Sequence, residues 1–368
     1  MRILIAGDYC ARNRVADLFD KDDYAFVLGD AQRVIQGVDY SIVNLECPVT
    51  KGEKATESKY GPHLHCSIRG VEALKWTGFK CVTLANNHFY DFGMNGVVNT
   101  LEVCKEYDLD VVGGGRNIYD ASQILYKQIH HKTLAIINCC EHEFSIATET
   151  TGGSNPLNPI QQYYAIKEAR KLADYVLIIV HGGHENYQLP SPRMQETYRF
   201  FIDSGADVVI NHHQHCYSGY EIYKNRPIFY GLGNFCSDSK YKKSKKWHEG
   251  YMVIINFDIN ISFEIIPYNQ CSEQARVRLL ETTSFNEELD RINVIINDPS
   301  KLKNAVNSFY ASCSKRYSDV IEPINNRFYL ACKAHGWLPS LISNKRKLMV
   351  YNYIRCESHR DILIYYLS

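Results

Sequence analysis

The sequence predicts an α/β fold built on a parallel sheet, with a histidine-rich site at the carboxyl ends of its strands. Two observations carry this. Residues 175–180 and 207–210 are short, apolar, β-branched runs, which read as buried strands. Each run ends in imidazoles: His181-Gly182-Gly183-His184-Glu185 follows the first, and Asn211-His212-His213-Gln214-His215 follows the second. Buried strands that alternate with helices form parallel sheets, and ligands bind beyond the carboxyl ends of such strands. Neutral imidazole is a common ligand for zinc and similar ions, so the pattern points to a metal site.

The remaining elements follow in order. Residues 2–6 form a first strand ending at Gly7-Asp8, and residues 39–43 a second ending at Asn44-Leu45-Glu46. A polar loop then runs to about residue 61. Residues 69–77 read as a helix capped by Gly78. Residues 80–84 are a strand ending at Asn86-Asn87-His88. Residues 95–107 have helical spacing, with Val97, Val98, Leu101 and Val103 apolar. The strand at 109–112 ends in Gly113-Gly114-Gly115, which reads as a turn because no nucleotide-binding helix pattern follows. Residues 132–137 are a strand followed by Cys139-Cys140-Glu141-His142-Glu143. A Gly-, Asn- and Pro-rich loop at 151–159 leads into a helix to about residue 173, and residues 193–204 form another. Ile222 and residues 228–230, 251–257 and 262–266 are closing β-segments, partly antiparallel. Past about residue 269 the texture becomes helical. The expected division is an α/β domain over 1–270 and a helical C-terminal region over 271–368.

Composition bounds the function. Apolar residues make up 45% and charged residues 22% of 368, enough for an ordinary globular core. Lys+Arg and Asp+Glu are both 41, so bulk attraction to nucleic acid or anionic membrane is not expected. The 13 cysteines include no C-x-x-C pair, which argues against a zinc ribbon, an iron–sulfur cluster or a disulfide framework. No run approaches the roughly 18 apolar residues of a membrane span. A reducing cytoplasm is the simplest expectation.

The strand ends line up chemically. They deliver Asp8, then Asn44 with Glu46, then Asn87-His88 with Asp91, then His181 with Glu185, then His213 with His215. Such a mixed nitrogen and oxygen set can hold two ions about 3.5–4 Å apart.

Six ordered segments carry a resemblance: Gly7-Asp8, residues 44–50 (NLECPVT), 84–93 (LANNHFYDFG), 181–185 (HGGHE), 205–215 (GADVVINHHQH) and 230–235 (YGLGNF). Together they resemble the CapA family of bacterial capsule and poly-γ-glutamate synthesis over residues 1 to about 268. That family is similar to calcineurin-like metallophosphoesterases. The resemblance implies a four-layer α/β/β/α sandwich and one or two divalent ions (Zn, Mn or Fe). It implies Asp8 as the first aspartate ligand and Glu46 near the bridging carboxylate. Asn87, His181 and His213 would serve the second metal and His215 the first. His88 would contact the leaving group or transition state. The phosphoesterase pattern has Asp-x-His at the first strand; here it is Asp8-Tyr9-Cys10. Cys10 is either a thiolate ligand or a missing one.

Other residues have plainer readings beside the functional ones. Asp91 would orient His88 and suit it to acid catalysis, and Glu185 would orient a histidine or favour a helix start. His184 and His212 are contacts to substrate or to a ligand, or merely polar. Asn44 reads as a site contact and Asn234 as a turn. His63, His65, His142 and the basic run 240–246 read first as solvated loops, although the basic run suits an anionic polymer or phosphate. Two functions stay open. One is a metal-dependent phosphoesterase-like hydrolase acting on an anionic or phosphorylated polymer or small molecule. The other is a non-hydrolytic assembly factor that binds polymer or polymer-synthesis proteins. Many members of the family resemble anchored or exported proteins; this chain carries no anchor and is expected in the cytoplasm, with peripheral membrane association left open.

Overall fold

A computed structural model describes residues 1–56, 59, 61–241, 243–321, 328, 332, 335, 337 and 343–367. The first half alternates strands with helices: β1 (Arg2–Cys10), α1 (Arg14–Phe19), α2 (Tyr24–Gln36), β2 (Tyr40–Leu45), α3 (Ile68–Thr77), β3 (Cys81–Thr83), α4 (Gly93–Glu106) and β4 (Asp110–Val112). There follow β5 (Gly114–Gly115), α5 (Ile118–Ala121), β6 (Leu125–Ile129), β7 (Lys132–Cys140), β8 (Gly153–Ser154), α6 (Pro159–Leu172), β9 (Tyr175–His181), α7 (Pro192–Ser204) and β10 (Val208–His212). The chain closes with β11 (Tyr220–Tyr223), β12 (Arg226–Phe229), β13 (Asn234–Ser237), α8 (Lys245–His248), β14 (Glu249–Asn256), β15 (Ser262–Gln270) and β16 (Val277–Leu279). Helices α9 (Thr282–Ile296), α10 (Pro299–Ile321), α11 (Asn344–Arg355) and α12 (Glu357–Leu367) lie beyond. Parts of the expected helical region, and Lys242 of the basic run, fall outside the described residues.

Two sheets face each other. The first has the order β16-β15-β14-β1-β2-β3-β4, with β13 also pairing to β1. The second has the order β11-β12-β10-β9-β7-β6. Strands β1 to β4 are mutually parallel, as are β7, β9, β10 and β12. Side chains alternate between faces along each strand, and this sorts the layers. Ile3, Ile5 and Ile42 of the first sheet share a core with Ile136, Ile179 and Ile210 of the second. Leu4, Ala6 and Val43 turn the other way and pack with Val27 and Leu28 of α2 and with Val71 and Leu74 of α3. Ile166 and Ala169 of α6 and Tyr198 and Phe201 of α7 cover the second sheet. The architecture is therefore an α/β/β/α sandwich. Helix entries follow ordinary capping: Asn158 precedes Pro159 and accepts from Ile160 N and Gln161 N, and Ser191 precedes Pro192 and accepts from Met194 N. Gly78 ends α3 at φ 106°, as its sequence position predicts.

The first strand differs from its expected length. It does not stop at Ala6 but runs to Cys10, because β13 pairs with it in parallel at Asp8, Tyr9 and Cys10. Its register against β2 shifts between Ala6 and Asp8. Ile3 and Ile5 face the second sheet, so strict alternation would send Asp8 toward the helices. The shift reverses the phase: Tyr9 turns to the helix side and donates to Gly70 O (2.7 Å), and Asp8 faces the inter-sheet space. Gly7 permits this, since a Cβ there would stand 1.8 Å from Gly233 O.

The C-terminal helices join the sandwich through a polar seam. Glu141, just past β7, accepts from Arg193 Nη2 (2.7 Å) and Ser358 Oγ (2.6 Å). Arg193 also pairs with Asp361, and His142 Nδ1 lies 2.7 Å from Glu357 Oε1. The first sheet continues past residue 270, because β16 pairs antiparallel with β15.

Two outcomes follow. Gly7→Ala forces backbone apart and should cost at least about 1–3 kcal/mol, read as a lower Tm. Burial raises the Glu141 carboxyl, but Arg193 and Ser358 outweigh it and bring it to about 2, against an ordinary 4.5. The folded value is depressed, so its stabilisation is complete above the ordinary value and is lost as pH falls toward about 2. Glu141→Gln should cost roughly 3 kcal/mol at neutral pH and flatten the stability profile across that acid window, measured by denaturant melts.

Candidate metal centre

The carboxyl ends of β1, β2, β9 and β10 meet at one edge of the inter-sheet space. Asp8, Asn44, Glu46, Asn87, His181 and His213 are all buried there, and His215 is partly so. Asn44 Nδ2 donates to Asp8 Oδ1 (2.7 Å) and lies 3.3 Å from His181 Nδ1. His181 Nε2 stands 3.2 Å from Asn87 Oδ1, 3.1 Å from His213 Nδ1 and 3.5 Å from Glu46 Oε1. His215 Nδ1 lies 3.7 Å from both Asp8 Oδ2 and Glu46 Oε2. Ligand atoms of Glu46, His181 and His213 lie within 4.8 Å of one another, and so do those of Asp8, Glu46 and His215. Glu46 belongs to both groups.

The electrostatics suit cations. Both Glu46 carboxylate oxygens are buried without a hydrogen-bond partner. Burial, then the charges of Asp8 and Cys10, push its carboxyl well above the usual range. Burial also raises Asp8, although His215 and Asn44 oppose it. The imidazoles move the other way. Burial and then the other histidines hold His181 well below its ordinary value, and burial lowers His215. Neutral imidazoles beside a buried carboxylate without a hydrogen-bond partner, with a second carboxylate next to it, are a donor set that suits a divalent ion. The residues present therefore fit one or two such ions. The loop that holds them is strained: His213 and His215 take φ of 95° and 56°, a left-handed region uncommon for such residues. His213 N donates to Asp8 Oδ2 (3.1 Å), which fixes that loop to β1.

His88 and Asp91 form a dyad beside this set. His88 Nδ1 lies 2.6 Å from Asp91 Oδ2, which also accepts from Leu64 N (2.7 Å). The Lys59 ammonium shares the dyad, 2.9 Å from His88 Nδ1 and 3.2 Å from Asn87 O. Burial and then Lys59 lower the His88 imidazole, while Asp91 opposes them.

The other expected site residues part company. Cys10 is buried but belongs to neither ligand group. Its thiol faces the Cys47 thiol, which lowers it, and lies 3.9 Å from His65 O. His184 is taken up by the C-terminal helices: Nε2 lies 3.2 Å from Tyr310 Oη and its ring packs on Phe309. His212 is buried under the site, where desolvation brings it to about 3. Glu185 is exposed at the rim. Crowding raises its carboxyl, but His215, His213 and His88 outweigh this and lower it. Asn234 does more than turn the chain, since its Oδ1 lies 3.0 Å from His215 Nδ1 and its Nδ2 donates to His215 O.

Sequence reasoning passed over three residues. Glu143 lies 3.6 Å from His213 Nε2 and accepts from Asn87 Nδ2 (3.3 Å). Its only sequence signal is its place three residues beyond the end of β7, an edge shared with β9. Lys59 and Arg12 have no signal beyond charge in polar segments, yet the Arg12 guanidinium lowers both Glu46 and Cys10.

Comparison with known proteins identifies the family. Residues 2–239 match the family described as bacterial capsule synthesis protein PGA_cap. The capsule biosynthesis protein CapA of Bacillus anthracis is 31% identical over 253 residues, 67% of this chain and 62% of that protein. The PGA biosynthesis protein CapA of Bacillus subtilis (strain 168) is 32% identical over 215 residues, 58% of this chain and 57% of that one. The chain thus spans about three-fifths of the length of these relatives. Among solved structures, the calcineurin-like phosphoesterase YfkN from Bacillus subtilis is 12% identical with a TM-score of 0.43, covering 83% of this chain and 98% of that one. Among the described residues no helix is long and apolar enough to cross a membrane. The family match covers well over half of the chain and takes in every site segment from Asp8 to Asn234, so the chain belongs to the bacterial capsule synthesis (PGA_cap) family.

Proposed function

We propose that the protein is a metal-dependent phosphoesterase-like hydrolase that works in capsule or poly-γ-glutamate synthesis. The observation that carries the reading is Glu46, a buried carboxylate whose two unpartnered oxygens face two separate donor groups. Asp8, Glu46 and His215 would hold one divalent ion, and Glu46, His181, His213 and Asn87 a second. Bound there, such ions polarise a phosphoryl oxygen and activate water.

The chain's own residues would do the rest. Asn44 holds Asp8 and His181 in one orientation by contacting both. Asp91 fixes the His88 ring through Nδ1, which leaves Nε2 to give a proton to the leaving oxygen. Arg12 would supply positive charge toward an anionic substrate, while the buried Lys59 ammonium pairs with Asp91. The names of the relatives place them in capsule and polyglutamate synthesis, which suggests a polymer or its phosphorylated precursor as substrate and synthesis proteins as partners. A non-hydrolytic assembly role is favoured by one observation: Cys10 stands where the phosphoesterase pattern has histidine, and its thiol turns away toward Cys47.

The test has two steps. Metal analysis of protein purified without chelator should find a divalent transition metal that Glu46→Gln reduces. No bound metal, and none regained on addition, would end the hydrolase reading. With metal present, His88→Ala should slow cleavage of chromogenic phosphomonoesters and phosphodiesters by about 100-fold or more. Equal rates would remove His88 from its role, and absence of cleavage by the metal-loaded protein would favour the assembly role.

A further inference from the structure

A second cluster of ligand-type side chains lies where the C-terminal helices meet the site. Cys356 closes α11, and His359 lies in the first turn of α12, three residues on. That spacing sets both on one side of the chain as it enters the helix. Ligand atoms of Glu143, Cys356 and His359 lie within 4.8 Å of one another. Bonds of about 2.0–2.3 Å in tetrahedral geometry set ligand atoms roughly 3.3–3.8 Å apart, so each pair needs to close by at most about 1.5 Å.

Charge picks out Glu143 from its acidic neighbours. The Cys356 thiol donates to Glu141 Oε2 (3.7 Å), and Glu141 and Glu357 form a second such group with it, but Glu141 is committed to Arg193 and Ser358. Glu357 is committed to His142, both through the ring and through the backbone amide. Glu143 has contacts of another kind. It reaches Asn87 Nδ2 at 3.3 Å and His213 Nε2 at 3.6 Å, both members of the ligand set described above.

We propose that Glu143, Cys356 and His359 form a further binding position for a zinc-type divalent ion, joined to the main centre through the Glu143 carboxylate. One thiolate, one carboxylate and one neutral imidazole balance a dication. The thiolate selects a borderline or soft ion over magnesium or calcium. Three protein ligands leave a fourth position open to water, unlike the closed four-ligand structural sites. On binding, the Cys356 thiol loses its proton to solvent and the sulfur lone pair forms the new bond, with no change in oxidation state. The inference does not require the hydrolase reading.

Cobalt(II) titration of the chelator-stripped full chain tests it, because thiolate ligation gives a near-ultraviolet charge-transfer band that carboxylate and imidazole do not. The wild type should develop the band, and Cys356→Ser should lose it together with one equivalent of bound metal. Glu46→Gln combined with His181→Ala should keep it. His359→Ala serves if the serine variant fails to fold; it should weaken cobalt binding at the band at least ten-fold. A band that survives in Cys356→Ser and disappears in Cys10→Ser would overturn the proposal. So would cobalt saturation with no thiolate band, or a His359→Ala titration identical to wild type.

Discussion

A fully buried carboxylate with no hydrogen-bond donor sets the terms for the whole site. Glu46 follows directly on β2, tied by its own amide to Tyr9 O (2.9 Å). Both of its oxygens are sealed from solvent, and Asp8 adds a second negative charge beside it. An isolated buried charge of this kind costs several kcal/mol unless it is neutralised or paired. The groups that face it are imidazoles, and burial holds His181 and His215 neutral rather than cationic. Neutral rings orient toward the carboxylates without cancelling them. A divalent ion is the partner that would meet both needs at once, lone pairs from the rings and countercharge for the acids.

The backbone is shaped to deliver this set. The irregularity in β1 changes which face Asp8 occupies, and the close passage of Gly7 against Gly233 leaves no room for a side chain there. On the opposite sheet, the chain leaves β10 through left-handed residues at His213 and His215, which bring both rings back over the strand ends. Strain of this sort persists where surrounding structure over-determines it. Here the determinants are visible: the His213 amide is held by Asp8, and the His215 carbonyl and ring are both held by Asn234.

Periodicity made most of the strands legible, the resemblance carried by the ordered motifs implied the sandwich, and the strand-end residues Asp8, Glu46, Asn87, His181, His213 and His215 come together at one edge. Strands with β-branched runs and polar ends, such as residues 175–181 and 207–215, announce both a sheet and a site edge. What stayed hidden depended on geometry that a linear pattern does not encode. Histidines 212 and 213 are neighbours in sequence, yet one lies beneath the site and the other in it, because the chain leaves its extended conformation between them. His184 looks equivalent to His181 until α10 arrives from more than a hundred residues away to claim it. Lys59 and Glu143 sit in loops, and no spacing rule ties a loop residue to a distant dyad. Gly7 breaks the apolar run, so the sequence pattern alone ends the first strand at Ala6. Pairing with β13 carries it onward.

The donor sets also differ in a graded way, and this bears on the departure at Cys10. The position between Asp8, Glu46 and His215 has two carboxylates and one imidazole, a hard set suited to manganese-like ions. The position at Glu46, His181 and His213 has one carboxylate and two imidazoles, closer to what zinc and iron accept. A histidine in place of Cys10 would have softened the first position toward the second. With the Cys10 thiol turned to Cys47, that softening is lost, and the two positions become chemically unequal. Unequal positions need not fill together. If the site holds ions as proposed, the second position would bind the more tightly and the first would respond to the supply of a harder ion, so a cysteine where the phosphoesterase pattern has histidine would leave one resident and one conditional ion.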